Sequence, residues 1–592
     1  FVSGPITERL RARIAIKDMQ SRKGWQKSVS RPDDELGTVD RQALRALAEW
    51  TPTDTLDVRL SFDMWRDRSE AQTPQAIAVI PQNPFTGAAV QSPRVENAEL
   101  VPVDTDDNRI ADWSNEFDWH LNDKFMGGAL NLRWSITDDL SLTSISSYGD
   151  ARSDGSMLPA GLDALVSDYR IDAIIRTMSQ ELRLEGIWGD SFDWMIGTNF
   201  GFDQGSQHNH AYDRDVSSAF PILGVTALFT EVGVTGANEA SQESLFVNTN
   251  WQPTDSWKFT LGARYNNEKT EFEGCSFDET TTEGTGLAPL FTAVALTRGS
   301  VTPIAAGECF SLDDEGSNDI FQGELNENSI SGRFAANFTP NDDTLIYASY
   351  SRGTKSGGFP VLPASDQSQY EPVTQEKLSA FEVGSKLGFN DGAGQFNNAI
   401  FYYDYTDKQL LTRVRDPFFG PLPILKNAPS SIVYGAELSV SSAPFAGLYV
   451  SLAASYIKTK IKEFESLDIN GDPQDFAGRP FNYSPKVQAN ALVDYSFAIS
   501  QEWDGGIGID VSYSDQSNAT LEGNELYNLR AYTIVNARFR VSTVDERWSM
   551  SAWGRNITNE FQAVNVYSIA DVVGRYTGMP ATYGFTLNYR YE

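Results

Sequence analysis

The sequence predicts an all-β chain folded as a transmembrane antiparallel β-barrel. Three observations carry this. In the final stretch, Tyr583, Phe585, Leu587, Tyr589 and Tyr591 fall on one face of a strand, and Gly584, Thr586, Asn588 and Arg590 on the other. One face is then aromatic and the other small or polar, because strand side chains alternate. Short turn-rich connectors also alternate with long irregular ones along the chain. Finally, no stretch approaches the ~18 consecutive apolar residues of a membrane helix. That excludes a helical span and leaves a barrel open, since barrel strands are only half apolar. No helix-rich or fully apolar layer exists upstream to cover the aromatic face of the last strand, so lipid is its expected partner.

Composition agrees. Of 592 residues, 40% are hydrophobic and 12% aromatic, with 46 Gly and only 2 Cys. The length alone would suggest several soluble domains, but long Leu/Ala/Glu/Lys helical runs are missing. The formal net charge is -33, which disfavours nucleic acid as a partner, because phosphate neutralisation needs a basic surface. The charge reads as acidic solvated loops, with a cation-attracting funnel as the sharper alternative. The N-terminal FVSGPITERL lacks the basic start and apolar core of a signal peptide. An exported barrel needs one, so the natural chain is expected to begin earlier.

In chain order, the short connectors are Gly4-Pro5-Ile6-Thr7, Thr51-Pro52-Thr53-Asp54, Thr137-Asp138-Asp139, Trp188-Gly189-Asp190, Gln252-Pro253-Thr254-Asp255, Thr339-Pro340-Asn341-Asp342, Asn390-Asp391-Gly392, the segment 443–447, the segment 501–504 and Val544-Asp545-Glu546. Each is built of residues with backbone reasons to turn. The long connectors include 70–121, 153–171, 207–238, 272–327, 357–373, 412–429 and 461–482. Short turns on one rim and long loops on the other match periplasmic and extracellular sides of an outer-membrane barrel. Between connectors the residues alternate: Leu56, Val58, Leu60, Phe62 and Met64 oppose Asp57, Arg59, Ser61 and Asp63, and Val535, Ala537 and Phe539 oppose Asn536, Arg538 and Arg540. A soluble propeller or solenoid would need a regular repeat length, which these hairpins lack. From the turn at Pro5 onward about 20 complete strands are expected, with residues 1–3 the tail of one more. An even total of about 22 follows if most of two strands precede the sequence. Tyr583, Phe585, Leu587, Tyr589 and Tyr591 would then mark the barrel-closing strand.

Several stretches resemble the barrel of TonB-dependent receptors. They are the tail GMPATYGFTLNYRY, the segment Trp553 to Glu560, the run Tyr347 to Phe359 (YASYSRGTKSGGF), Tyr434-Gly435-Ala436-Glu437, and Arg479 to Asn490. The resemblance implies the 22-strand outer-membrane transporter type, with residues 1–592 as the barrel domain and its long extracellular loops. It also implies an N-terminal plug and a TonB box, which this sequence does not contain; they are expected in the same chain or on a separate one. Implied partners are that plug, the TonB-ExbB-ExbD complex, a small-molecule substrate and outer-membrane lipid, in the outer membrane of a Gram-negative bacterium. The expected function is proton-gradient-driven uptake of a scarce nutrient, foremost a ferric siderophore. The alternatives are oligosaccharide or corrinoid uptake, a barrel subunit or scaffold of a larger complex (a surface lipoprotein among its partners), and a passive porin. No cofactor is expected.

Site candidates follow. Cys275 and Cys309 share the 272–327 loop, and an exported protein sits in an oxidising compartment, so a disulfide is expected over two free thiols. That loop is acidic, with Arg298 its only basic residue, and reads as a solvated lobe. Trp113, Phe117, Trp119 and Phe125 read as an interfacial girdle or as a stacking surface for substrate. Tyr347, Tyr350, Tyr402 and Tyr403 carry the same two readings. Arg352 and Lys355, at the top of a strand, face either an anionic ligand or lipid headgroups. Inward charges such as Asp57, Arg59, Arg538 and Arg540 favour wall-to-wall or wall-to-plug bonds over a ligand site. His208 and His210, with Asp213 and Asp215 nearby, are a weak metal candidate in a loop. Asp468-Ile469-Asn470-Gly471-Asp472 reads as a turn rather than a calcium loop. With 3 His and no hydrolase, zincin, P-loop or dinucleotide motif, an enzyme is not expected.

Overall fold

The computed structural model describes residues 1–80, 103, 105–213, 215, 230–280 and 286–591. Parts of three predicted loops (81–102, 216–229 and 281–285) therefore lie outside the described residues. A single antiparallel sheet of 23 strands dominates; two of these, Glu465–Leu467 and Pro473–Asp475, form a hairpin at its rim, and the other 21 make the wall. The wall strands are β1 (Val2–Thr7), β2 (Leu10–Gln20), β3 (Asp40–Thr53), β4 (Leu56–Asp67), β5 (Asp123–Thr137), β6 (Leu140–Met157), β7 (Asp168–Trp188), β8 (Phe192–Tyr212), β9 (Glu231–Thr254), β10 (Trp257–Asp278), β11 (Phe321–Asn341) and β12 (Thr344–Lys355). They continue as β13 (Glu376–Phe389), β14 (Gly394–Asp416), β15 (Gly420–Phe445), β16 (Leu448–Glu463), β17 (Val487–Ala498), β18 (Trp503–Ser514), β19 (Tyr532–Thr543), β20 (Trp548–Arg555) and β21 (Thr582–Tyr589). Each pairs with its sequence neighbours, the pattern of hairpins that bury every interior backbone group in a ladder.

Turns fall at or just after the stretches where Pro, Asp, Asn and Gly predict them: at Pro52, Pro253 and Pro340 the strand runs on through the proline and the turn follows at Asp54–Thr55, Asp255–Ser256 and Asp342–Asp343. The first turn is at Glu8–Arg9, not at Gly4 to Thr7, because β1 runs on through Pro5. Pro cannot donate to a ladder, and Pro5 stands at a register shift between Pro5 and Thr7, as Pro52, Pro253 and Pro340 stand at shifts just before their own turns, where a bulge tolerates the ring. At the far end β21 pairs with β20, and among the described residues no ladder joins β21 to β1. The last ladder residue is Tyr589, and Tyr591 lies beyond the strand.

Where the wall crosses the membrane, its outward face is apolar. On β21, Tyr583, Phe585 and Leu587 are 70%, 66% and 55% exposed, while their neighbours Thr582, Gly584 and Thr586 are half-buried. Gly584 is required by its cross-strand partner: a Cβ there would stand 2.2 Å from the Trp553 indole, which lies across the bare backbone. Trp50, Trp134, Trp188, Trp251, Trp257 and Trp548 are exposed beside the short turns, forming a girdle at that rim. Amphipathic rings prefer this zone.

Strands β7 to β10 have 21, 21, 24 and 22 residues, about twice the ~9–11 that cross a membrane. The predicted loops 153–171, 207–238 and 272–327 are accordingly shorter than expected. Their flanks continue the ladders above the bilayer with polar residues on the outer face, a pattern without an apolar alternation to reveal it. The connection 412–429 is likewise mostly strand, since β14 runs to Asp416 and β15 starts at Gly420.

The upper loops form packed lobes. The predicted solvated lobe between β10 and β11 contains a helix, α1 (Ala288–Arg298), and an apolar core of Leu287, Leu290, Phe291, Ala295, Phe310 and Leu312. Cys275 and Cys309 are disulfide-bonded with Cα atoms 5.8 Å apart, joining the top of β10 to this lobe. A small sheet of Gln75–Val79, Val572–Thr577 and Ala563–Ile569 links the β4–β5 connection to the β20–β21 connection, reinforced by Arg575 donating to Gln75 Oε1 at 2.8 Å. The loops thus tie together the two ends of the wall. At Asp468 the expected turn is present, with Oδ1 accepting from the Asn470 and Asp472 amides, both at 2.9 Å.

Candidate functional site: a loop-roofed cavity in the barrel lumen

The inner face of the wall is lined by cross-strand ion pairs. Arg45 meets Asp63 at 2.6 Å, Arg59 meets Glu49 at 2.7 Å, and Arg538 pairs with Asp494. Arg59 and Arg538 thus bond wall to wall, as the alternation predicts for inward charges. A hydrated lumen is the reason: opposite charges on adjacent strands satisfy each other where no lipid is present.

Strand alternation divides the six predicted substrate contacts. Arg352 lies two residues past the exposed Tyr350 and shares its outer face; Tyr402 pairs with the exposed Phe381 and faces outward too. Both therefore meet the lipid side, not a ligand in the lumen. Trp113 and Trp119 are 3% and 6% exposed, buried with Leu36, Phe117 and Leu165 in a loop core. They are neither a girdle nor an open stacking surface; Phe117 lies tilted 4.9 Å from Trp119 and 5.6 Å edge-on to Tyr212, so these rings pack against one another. Lys355 and Tyr403 face the lumen. Tyr403 stacks on Phe401 at 4.8 Å, and Tyr347, also inward, donates to Glu382 at 2.7 Å. Phe125 is inward, stacked on Trp65 at 6.2 Å.

Lys355 borders a lumenal recess of about 740 Å³ with Asp203, Gln207, Glu268 and Phe359. The chain enters it from β12 because Gly357 lets the backbone pass Val373, where a Cβ would meet a carbonyl oxygen at 2.1 Å. The Glu327 carboxylate secures that passage by accepting from the Gly357 and Gln375 amides at 2.8 and 2.6 Å.

Above it, beneath the loops, is a more enclosed cavity of about 320 Å³. Tyr169, Phe419, Tyr527 and Tyr567 supply aromatic walls, and Arg413, Asn209 and Asp213 supply polar groups. The Arg413 guanidinium donates to Ser568 Oγ at 3.1 Å, and burial lowers its pKa from the ordinary value. Asn209 Oδ1 is buried without a hydrogen-bond partner among the described residues. Burial pushes Asp213 up to about 6, although Ser167 Oγ donates to it, and burial also raises the Tyr169 phenol. Beside the cavity, burial pushes Asp168 up to about 7, against the Ala160 and Val166 amides that donate to it. This aromatic cup, with one poorly solvated guanidinium and two carboxylates, Asp213 and Asp571, in its lining, is chemically suited to a compact aromatic ligand whose negative charge meets Arg413. None of Tyr169, Arg413, Tyr527 and Tyr567 was among the predicted contacts. Arg413 sits in a stretch that reads as loop, and nothing in local spacing brings it to Tyr567.

His208 and His210 are on β8, not in a loop. Their carboxylate partner is Glu279, just past β10, rather than Asp213 or Asp215. His208 Nε2 is 3.1 Å from Glu279 Oε1, and His210 Nδ1 is 2.5 Å from Oε2. The bond to Glu279 raises the His210 pKa. Asp213 and Asp215 turn instead to Ser167 and to the Leu165 amide.

Among solved structures, the ferric yersiniabactin uptake receptor FyuA from Yersinia pestis is similar at 15% identity and TM-score 0.72, covering 98% of this chain and 76% of that one. The siderophore receptor PiuA from Acinetobacter baumannii is similar at 14% identity and TM-score 0.70, over 100% and 78%. The ferric-catecholate import receptor Fiu from E. coli K12, in its closed form, is similar at 13% identity and TM-score 0.66, over 99% and 78%. At these identities the likeness is one of fold. The family model described as TonB dependent receptor-like, beta-barrel matches residues 45–557, the greater part of the chain. The chain therefore belongs to the TonB-dependent receptors, matched through their β-barrel, and is an outer-membrane protein of the Gram-negative type.

Proposed function

We propose that this barrel imports a ferric siderophore across the outer membrane, energised by the TonB-ExbB-ExbD complex through a plug domain that fills the lumen. The plug belongs to the same polypeptide or to a second one, and residues 1–592 act as the barrel around it. The observation that carries the substrate class is the roofed cavity with Arg413 among Tyr169, Tyr527 and Tyr567. A ferric chelate is compact, often aromatic and commonly anionic, and a desolvated guanidinium binds such charge more strongly than an exposed one. The net charge of -33 opposes long-range attraction of an anion, so recognition rests on contacts inside the cavity. The family and the named uptake receptors of similar fold support import as the activity. For transport to be driven, ligand in the cavity must favour the plug state that TonB engages, since only differential binding shifts an equilibrium.

The test is uptake of radioactive iron from a panel of ferric siderophores by cells with this receptor as their only route. Uptake of at least one is expected, and it should stop when TonB is deleted. Arg413→Ala should raise the half-saturating concentration roughly tenfold or more, the loss of a charge-assisted contact. Uptake that is indifferent to TonB, or absent across the whole panel, contradicts the proposal.

A further inference from the structure

We infer that His208, His210 and Glu279 form a binding site for a divalent transition-metal ion of the zinc type, on the outer face of the wall above the membrane. Asn209 and Ala211 line the lumenal cavity, so His208 and His210, alternating with them, face outward. The site is thus separate from the path of any cargo. One nitrogen of each imidazole and one oxygen of the carboxylate lie within 4.8 Å of one another. The rings stand 4.1 Å apart, and both present a nitrogen to the same carboxylate. Ligand atoms on a tetrahedral zinc with bonds of about 2.1 Å are about 3.4 Å apart, so small side-chain rotations admit the ion. Two imidazoles and a carboxylate are the ligand set of borderline metals, with a fourth position left for water.

The surroundings are built for this approach. Gly233 is the register partner of His210. A Cβ there would stand 2.8 Å from the Glu279 carboxyl carbon and 2.5 Å from the Phe277 ring. The carboxylate reaches the imidazoles only across that bare backbone. The Glu279 amide donates to the Glu231 carbonyl at 3.3 Å, which holds the residue beside β9. Asp172, the register partner of His208, and Glu231 add negative charge that favours a dication. The two cysteines are paired, so thiolate does not compete. Of the 3 histidines, the other, His120, lies apart beside Asp118 and Glu70.

Zinc binding to the full chain, purified in detergent without a polyhistidine tag, tests the inference. Calorimetry should give one tight equivalent for the native protein and for His120→Ala. The affinity should fall by at least about tenfold in His210→Ala, in Glu279→Gln and in Gly233→Ala, which leaves all three ligands but takes away the space for the carboxylate. Cobalt loaded in place of zinc should give visible absorption that the His208→Ala/His210→Ala double variant loses. Folding of each variant is checked by its heat-dependent mobility in detergent gels. Equal zinc binding by native protein and double variant overturns the inference, because the 80 acidic side chains would then account for all of it, and so does no binding by either.

Discussion

At the residue scale, side chains act through the face they occupy. Tyr402 and Tyr403 are adjacent in sequence, yet one meets lipid and the other the lumen. The period of two predicted the alternation, but not which of an aromatic pair points inward, because both faces accept tyrosine near the rim. Burial likewise cannot be read from residue type: Asp168 looks like any turn aspartate, and only the closing of the loops over it removes its water. Its pKa of about 7 lies above the ordinary 3.8. The folded lobe therefore binds more protons than the unfolded one between about pH 4 and pH 7, and loses stability as pH rises through that window. Carried in full, the change is worth about 4 kcal/mol. Hydrogen-exchange protection of the 160–168 amides, taken relative to the intrinsic exchange rate at each pH, should be greater at pH 5 than at pH 8, and Asp168→Asn should flatten the difference. Equal protection at both values in the native protein counts against a protonated Asp168.

At the element scale, turns were the most legible feature and loop lengths the least. Pro, Asp, Asn and Gly have backbone reasons to turn, so every short connector except the first overlaps its turn, but at Pro5, Pro52, Pro253 and Pro340 the strand runs on through the proline to a bulge and turns just after it. Strand extensions such as the upper halves of β8 and β10 carry polar residues on their outward face, so no apolar period separated them from loops. The helix Ala288–Arg298 was hidden in an acidic segment whose apolar run Leu287 to Leu296 was the available signal. The Cys275–Cys309 bond ties this lobe to β10 across a sequence separation of 34. Closing a loop of that size restricts the open chain by roughly 3–4 kcal/mol. The Cys275→Ser/Cys309→Ser variant should therefore keep its barrel, judged by heat-dependent gel mobility, while protease cuts near α1 at a rate at least about tenfold higher. Unchanged cleavage would assign the stability of the lobe to its apolar core alone.

At the scale of the whole molecule, the wall separates two solvents, and one residue of strand decides which is met. Ile400 is 69% exposed on the outer face of β14, in line with Val383 and Phe381 on β13. Ala399, its neighbour, faces inward between Gly384 and Glu437. Arginine at position 400 must enter hydrocarbon, at a cost of about 2–4 kcal/mol near the midplane. Arginine at position 399 enters a polar lumen beside a carboxylate, and its cost should stay below about 1 kcal/mol, as for an exposed ion pair. Urea-induced unfolding from lipid vesicles should separate Ile400→Arg from Ala399→Arg by about 2 kcal/mol or more. In a soluble β-sandwich the ranking would reverse, because the buried inner face would reject charge and the exposed outer face accept it. The sign of the difference thus distinguishes a lipid-facing wall from a soluble sheet, independently of what the protein carries.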